Sequence, residues 1–133
     1  MRGLRLALLA VVCLGLVGCD LSGTTSYEHK AVENGDPARG RALIASGVHG
    51  CTICHTGPGM GGVHGVVGPP LSGLARRGFI AGQLPNAPGV LIAFLEDPPA
   101  LVPDTGMPNV WLTAEEARHI AAYFYTLGPS DAR

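Results

Sequence analysis

The sequence predicts an all-α fold, and three observations carry that expectation. Three stretches repeat apolar residues at helical spacing behind recognisable caps, no stretch alternates like a strand, and no internal repeat occurs. The connections between them are long and draw on 20 glycines and 11 prolines in a chain of 133 residues. This length suits one domain. Nine Lys+Arg against ten Asp+Glu give a net charge of −1, which argues against binding through nucleic-acid phosphates. Hydrophobic residues at 47% are too many for charge-driven disorder, yet aromatics are only 5%, so the core looks thin for side chains alone.

The chain opens with Arg2 and Arg5 and an apolar run from Leu6 to Val17. That run is shorter than the ~20 residues a membrane-spanning helix needs, and it reads as a secretory signal over residues 1–18. Leu16-Val17-Gly18-Cys19 resembles the bacterial lipobox, which implies cleavage before Cys19 and lipidation of its thiol. Cys13 would leave with the signal. The remainder would carry seven basic against ten acidic residues, a net −3. Asp20 resembles the residue that retains lipoproteins at the inner membrane, so the expected location is the periplasmic side of the cell envelope, lipid-anchored, with the inner membrane favoured. Residues 19–34 lack an apolar period and read as a flexible tether with a reach of about 20 Å. The head is expected over residues 35–133.

The first helix of the head is expected from Pro37 to Ser46, with Asp36 as N-cap and Pro37 at the first position. The second is expected from Ala87 to Leu95, capped by Asn86 and stopped by Pro98-Pro99. Thr113 and Glu116 form a capping box for the third, in which Ala117, Ile120, Ala121, Phe124 and Leu127 recur at helical spacing before Gly128-Pro129. From His55 to Leu71 the chain is a Gly/Pro-rich connection with no helix of its own. Connections of that length are uncommon in compact domains unless functional, and one that wraps a prosthetic group would also account for the thin core.

Cys51-Thr52-Ile53-Cys54-His55 is a C-x-x-C-H sequence, the attachment signature of c-type haem. Two thiols three positions apart on a helical turn suit the two vinyl groups on one haem edge, and the next residue places an imidazole beneath the iron. A disulfide between the two cysteines is a competing reading. A zinc site would need further ligands, and only the scattered His29, His49, His64 and His119 remain. A thioredoxin-like pair would need a βαβ setting that is absent.

Around this motif the head resembles class I monohaem cytochrome c, in a bacterial membrane-anchored lipoprotein form. Gly35 to Ile44 is similar to the family's N-terminal helix and Ile120 to Phe124 to its C-terminal one, with Ile120 and Tyr123 facing Gly40 and Ile44. Gly68-Pro69-Pro70-Leu71 with Arg77 follows the run after the haem motif, and Leu95 to Met107 follows the segment that ends in the second axial ligand. The resemblance implies three to five helices around one covalently attached haem c. It implies covalent attachment at Cys51 and Cys54, with His55 and Met107 as axial ligands of the iron. It further implies that the Pro69 carbonyl orients His55, that Leu71 packs on the haem, and that Arg77 and Thr105 lie by the propionates. Met60 and His64 are rivals to Met107. Phe94 stands where mitochondrial members carry a tyrosine, and Trp111 follows the ligand rather than preceding it.

The implied function is one-electron transfer, not enzymatic catalysis. Electrons would pass from a quinol-oxidising complex or periplasmic dehydrogenase to a terminal oxidase. Service as the electron port of a membrane oxidase or dehydrogenase complex is the alternative, and a gas-binding haem sensor the distant one. No lysine ring marks a docking face, and an apolar edge of Val66, Val67, Leu101 and Val102 is expected to serve instead.

Overall fold

The computed structural model describes residues 30–60 and 65–128. The expected signal at 1–18, the lipidated Cys19 and the rival ligand His64 lie outside them. Five α-helices occur among the described residues: α1 (Pro37–Ser46), α2 (Cys51–Cys54), α3 (Pro88–Glu96), α4 (Pro98–Leu101) and α5 (Ala114–Phe124). A 3-10 turn spans Leu74–Arg76. None of these helices is long and apolar enough to cross a membrane.

Helix α1 has the expected bounds. Asp36 Oδ1 accepts from the Ala38 and Arg39 amides at 2.8 and 3.3 Å, and Gly47 closes the helix in the left-handed region at φ 71°. The capping box of α5 also forms: the Glu116 amide donates to Thr113 Oγ1 and the Thr113 amide to Glu116 Oε2. That helix ends at Phe124 rather than Leu127. The Thr126 and Leu127 amides reach back only three residues, to Tyr123 and Phe124, which tightens the last turn and satisfies its carbonyls.

Two expectations are corrected. Helix α3 begins behind Ala87, without a side-chain cap, because the Asn86 side chain turns inward. A small antiparallel sheet joins β1 (Phe79–Ile80) to β2 (Leu84–Pro85), pairing Phe79 with Pro85 and Ile80 with Leu84. Two-residue strands are too short to display alternation. Their turn is made by Ala81 and Gly82, both left-handed, with the Gln83 amide donating to the Ile80 carbonyl. The expected tether also packs further than anticipated: Lys30 donates to the Asn86 carbonyl and lies over the Tyr125 ring, and Val32 rests on the core.

The core is built on the crossing of α1 and α5. Ile44, Ala117, Ile120 and Ala121 are essentially inaccessible there. Gly40 lies beneath the His119 carbonyl so closely that a Cβ would sit 2.0 Å from that oxygen. His119 itself is buried. Its Nδ1 accepts from the Asp36 amide at 2.9 Å, which places the ring hydrogen on Nε2, 3.3 Å from Glu115 Oε1. Arg39 completes this cluster with a 3.0 Å ion pair to Glu115.

These contacts set an acid limit on stability. The His119 hydrogen bond and then the Arg39 charge hold the Glu115 carboxyl below its ordinary 4.5, and the Thr113 amide and hydroxyl do the same for Glu116. A carboxyl whose value is lowered by folding stabilises the fold above its unfolded value and loses that contribution as pH falls through the folded one. The stability difference between wild type and Glu116→Gln should therefore hold steady from pH 7 to about 5 and shrink by about pH 3. Urea titrations across that range measure it.

Candidate functional site

The site begins on helix α2, a single turn. Gly50 opens it in the left-handed region at φ 66°, and His55 leaves it in extended conformation with its amide bonded to the Cys51 carbonyl. Cys51 and Cys54 sit three positions apart, so they share one face. Both are half-buried and both thiols are free. Burial pushes the Cys51 thiol above its ordinary 9.0.

His55 is held from two directions. Its Nδ1 lies 2.8 Å from the Pro69 carbonyl. A carbonyl only accepts, so Nδ1 carries the hydrogen and Nε2 is left with the lone pair that coordinates a metal. The second restraint is steric. Gly68, whose amide donates to the Cys54 carbonyl at 2.8 Å, lies against the ring; a Cβ there would be 2.5 Å from Cε1.

The Gly-rich connection returns over the Cys turn through backbone hydrogen bonds. The Gly65 amide donates to Thr52, Gly68 to Cys54 and Leu71 to Thr56. Tyr123, from α5, pins the start of this loop by donating to the Pro58 carbonyl at 2.6 Å. The length that marked the segment as functional is thus used to wrap the C-x-x-C-H turn.

The other expected residues gather around the same core. Leu71 is buried, and Met107 and Cys51 pack half-buried against the cluster that contains it. Thr105 Oγ1 accepts from the Met107 amide at 3.2 Å, a local turn that sets the direction of the methionine backbone. Met60 is buried within the cluster, the position of a core filler. The Arg77 guanidinium donates to the Pro70 and Ser72 carbonyls, which ties it to the loop beside Pro69. The expected apolar edge splits: Val66 and Val67 are exposed, Leu101 is half-buried, and Val102 belongs to the core.

Asn86 is the residue that sequence reasoning misplaced. Its Nδ2 donates to the Leu74 and Arg77 carbonyls at 2.7 and 2.8 Å, and its Oδ1 accepts from the Tyr125 hydroxyl at 2.9 Å. Burial raises the Tyr125 phenol to about 12, so it remains a donor. This buried amide fixes the loop that presents Arg77. Replacing Asn86 with Ala strands two carbonyls and a hydroxyl, and should cost about 3 kcal/mol by chemical denaturation, against about 1 kcal/mol for Tyr125→Phe. An asparagine ahead of an apolar helix reads as a cap, and nothing local distinguishes a cap from a hub.

The donors fit the group implied by the C-x-x-C-H motif: two free thiols on one turn, an imidazole with its outer nitrogen already engaged, and a thioether on a separate loop. Among the described residues no three His, Cys, Asp or Glu side chains converge as a site for a bare metal ion. An open groove of about 480 Å³ lies over the α1–α5 crossing, lined by Arg39, Leu43, Ser46, Glu116 and His119 among others, and includes none of the expected haem residues. In comparison with known proteins, residues 37–128 match the family model described as cytochrome c. No curated protein matches the chain.

Proposed function

The chain belongs to the cytochrome c family, which binds covalently attached haem c, and from that membership we propose that it is a monohaem class I one-electron carrier. Cys51 and Cys54 would hold the haem through thioethers, and His55 Nε2 and Met107 Sδ would be the protein ligands of its iron. Bound haem would supply the ferric/ferrous couple, and ligation by a neutral thioether together with an imidazole would raise its potential. The chain's own part is to keep those ligands in place. The Pro69 carbonyl fixes the His55 ring and increases its basicity. Thr105 aims the Met107 backbone, Leu71 would supply apolar wall, and Arg77, which anchors the loop beside Pro69, would serve the propionates. With His55 and Met107 both on the iron, the haem would serve electron transfer rather than substrate binding.

The observation that carries this reading is the His55 Nδ1 to Pro69 contact of 2.8 Å inside a C-x-x-C-H turn. The sequence at Cys19 supports a lipid anchor on the periplasmic side of the membrane. From there the head exchanges electrons with a quinol-oxidising complex or dehydrogenase and a terminal oxidase.

The test is spectroscopic. Holoprotein should retain haem through denaturation and acidified-acetone extraction, and the double variant Cys51→Ala, Cys54→Ala should release it. The ferric protein should show the methionine–iron charge-transfer band at the red end of the spectrum. Met107→Ala should abolish the band and lower the potential, whereas Met60→Leu should leave it intact. Persistence of the band in Met107→Ala would overturn the ligand assignment. Rapid carbon monoxide binding by the native ferrous form would point to a sensor instead.

A further inference from the structure

His49 precedes the Cys turn by two residues and has only 9% of its side chain exposed. Its Nδ1 lies 3.2 Å from the carbonyl of Val110, 61 residues away in sequence and three beyond Met107. The carbonyl accepts, so Nδ1 donates. The buried Nε2 lies 3.4 Å from Glu116 Oε1, without hydrogen-bond geometry. Glu116 is the same carboxylate that caps α5.

The segment that His49 reaches is otherwise weakly held. Among the described residues, the other hydrogen bonds of residues 107–112 are local, from the Met107 amide to Thr105 Oγ1 and from the Trp111 amide to Asn109 Oδ1. Trp111 is in the left-handed region at φ 58° and is 83% exposed, so its side chain contributes little packing to offset an unfavourable backbone. A strained segment persists only where its surroundings over-determine it. The half-buried Val110 and buried Leu112 supply apolar contact, and among the described residues His49 supplies the one hydrogen bond to a distant part of the chain.

We propose that His49 is a positioning residue for the distal ligand, a strut that joins the haem-attachment turn to the segment behind Met107. The proposal rests on the assignment of Met107 as the distal ligand. His49 restrains the segment against swinging away from the Cys turn, so losing the strut should loosen Met107 without changing any ligand.

The experiment uses full-length holoprotein with His49→Asn, which keeps a donor near the Nδ1 position, and His49→Phe, which keeps the ring volume without one. His49→Ala gives the same comparison without added bulk should the Phe variant fail to accumulate. Amide hydrogen exchange over residues 107–112 and the rate at which added imidazole displaces the ferric methionine band are read together. His49→Phe and His49→Ala should raise both rates about tenfold, the effect of one hydrogen bond, while His49→Asn stays near wild type. Wild-type rates in all three variants would overturn the proposal, as would equal acceleration in Asn and Phe. A wild-type ferric spectrum without the methionine band would overturn the ligand assignment, and with it the role of His49 toward that ligand. An intact band with unaltered exchange would overturn the strut alone.

Discussion

Gly40→Ala is expected to destabilise the holoprotein by about 3 kcal/mol or more, a fall in Tm of about 12 °C or more. Two effects of opposite sign compete. Alanine in a helix interior gains up to about 1 kcal/mol over glycine. Against this, the new Cβ would lie 2.0 Å from the His119 carbonyl oxygen and 2.5 Å from its carbon, where ordinary contact begins at 3.4 Å. The obstacle is backbone on the partner helix, so no rotamer change relieves it. Helices α1 and α5 must separate, and Ile44 and Ile120, both inaccessible in the crossing, must open to water. Thermal and guanidinium unfolding of the haem-loaded protein measures the loss. A neutral or stabilising result would mean that the helices do not cross so closely. Gly78 is the control: it has open space around it and no left-handed backbone, so Gly78→Ala should stay within about 0.5 kcal/mol.

Gly68→Ala should damage the site more than the fold. Its added Cβ would meet three atoms of the His55 ring, at 2.5, 2.6 and 3.0 Å. Gly68 is not among the left-handed glycines, so backbone conformation would tolerate alanine and the conflict is purely with the imidazole. The ring cannot retreat without leaving the Pro69 carbonyl, which is what fixes its tautomer and direction. The expected result is a several-fold lower yield of correctly ligated holoprotein and a displaced proximal signal in the paramagnetic NMR spectrum of the ferric form. Far-UV circular dichroism should change little. Wild-type yield and spectrum in Gly68→Ala would show that the imidazole is free to move.

Much of this was legible beforehand because the signals are local. Helix α1 and the α5 capping box depend on neighbours within one turn, Asp36 with Ala38 and Arg39, Thr113 with Glu116, and both appear where the sequence places them. The C-x-x-C-H turn is a five-residue pattern whose chemistry follows from its spacing. The long Gly/Pro connection was readable as functional, although not the order in which Gly65, Gly68 and Leu71 return over Thr52, Cys54 and Thr56.

Other features had no local signal. Asn86 satisfies the ordinary pattern of a helix cap, and only the approach of Leu74, Arg77 and Tyr125 makes it a buried hub instead. The β1–β2 pair is set by a turn with two left-handed residues, one of them Ala81, which composition does not announce. Val66 and Val102 read alike as apolar residues near the site, yet one is exposed and the other is core.

The C-x-x-C-H pattern of Cys51, Cys54 and His55, the caps and the helical repeats thus determined by themselves that this is a mostly helical head built around an attachment turn. What only the tertiary structure decided is how that turn is held: His55 between Pro69 and Gly68, and His49 against Val110 across 61 residues. The physical reason is the range of the interactions. A cap or a helical stripe is satisfied within a few residues, whereas a buried donor takes whichever acceptor the folded chain brings within about 3 Å of it.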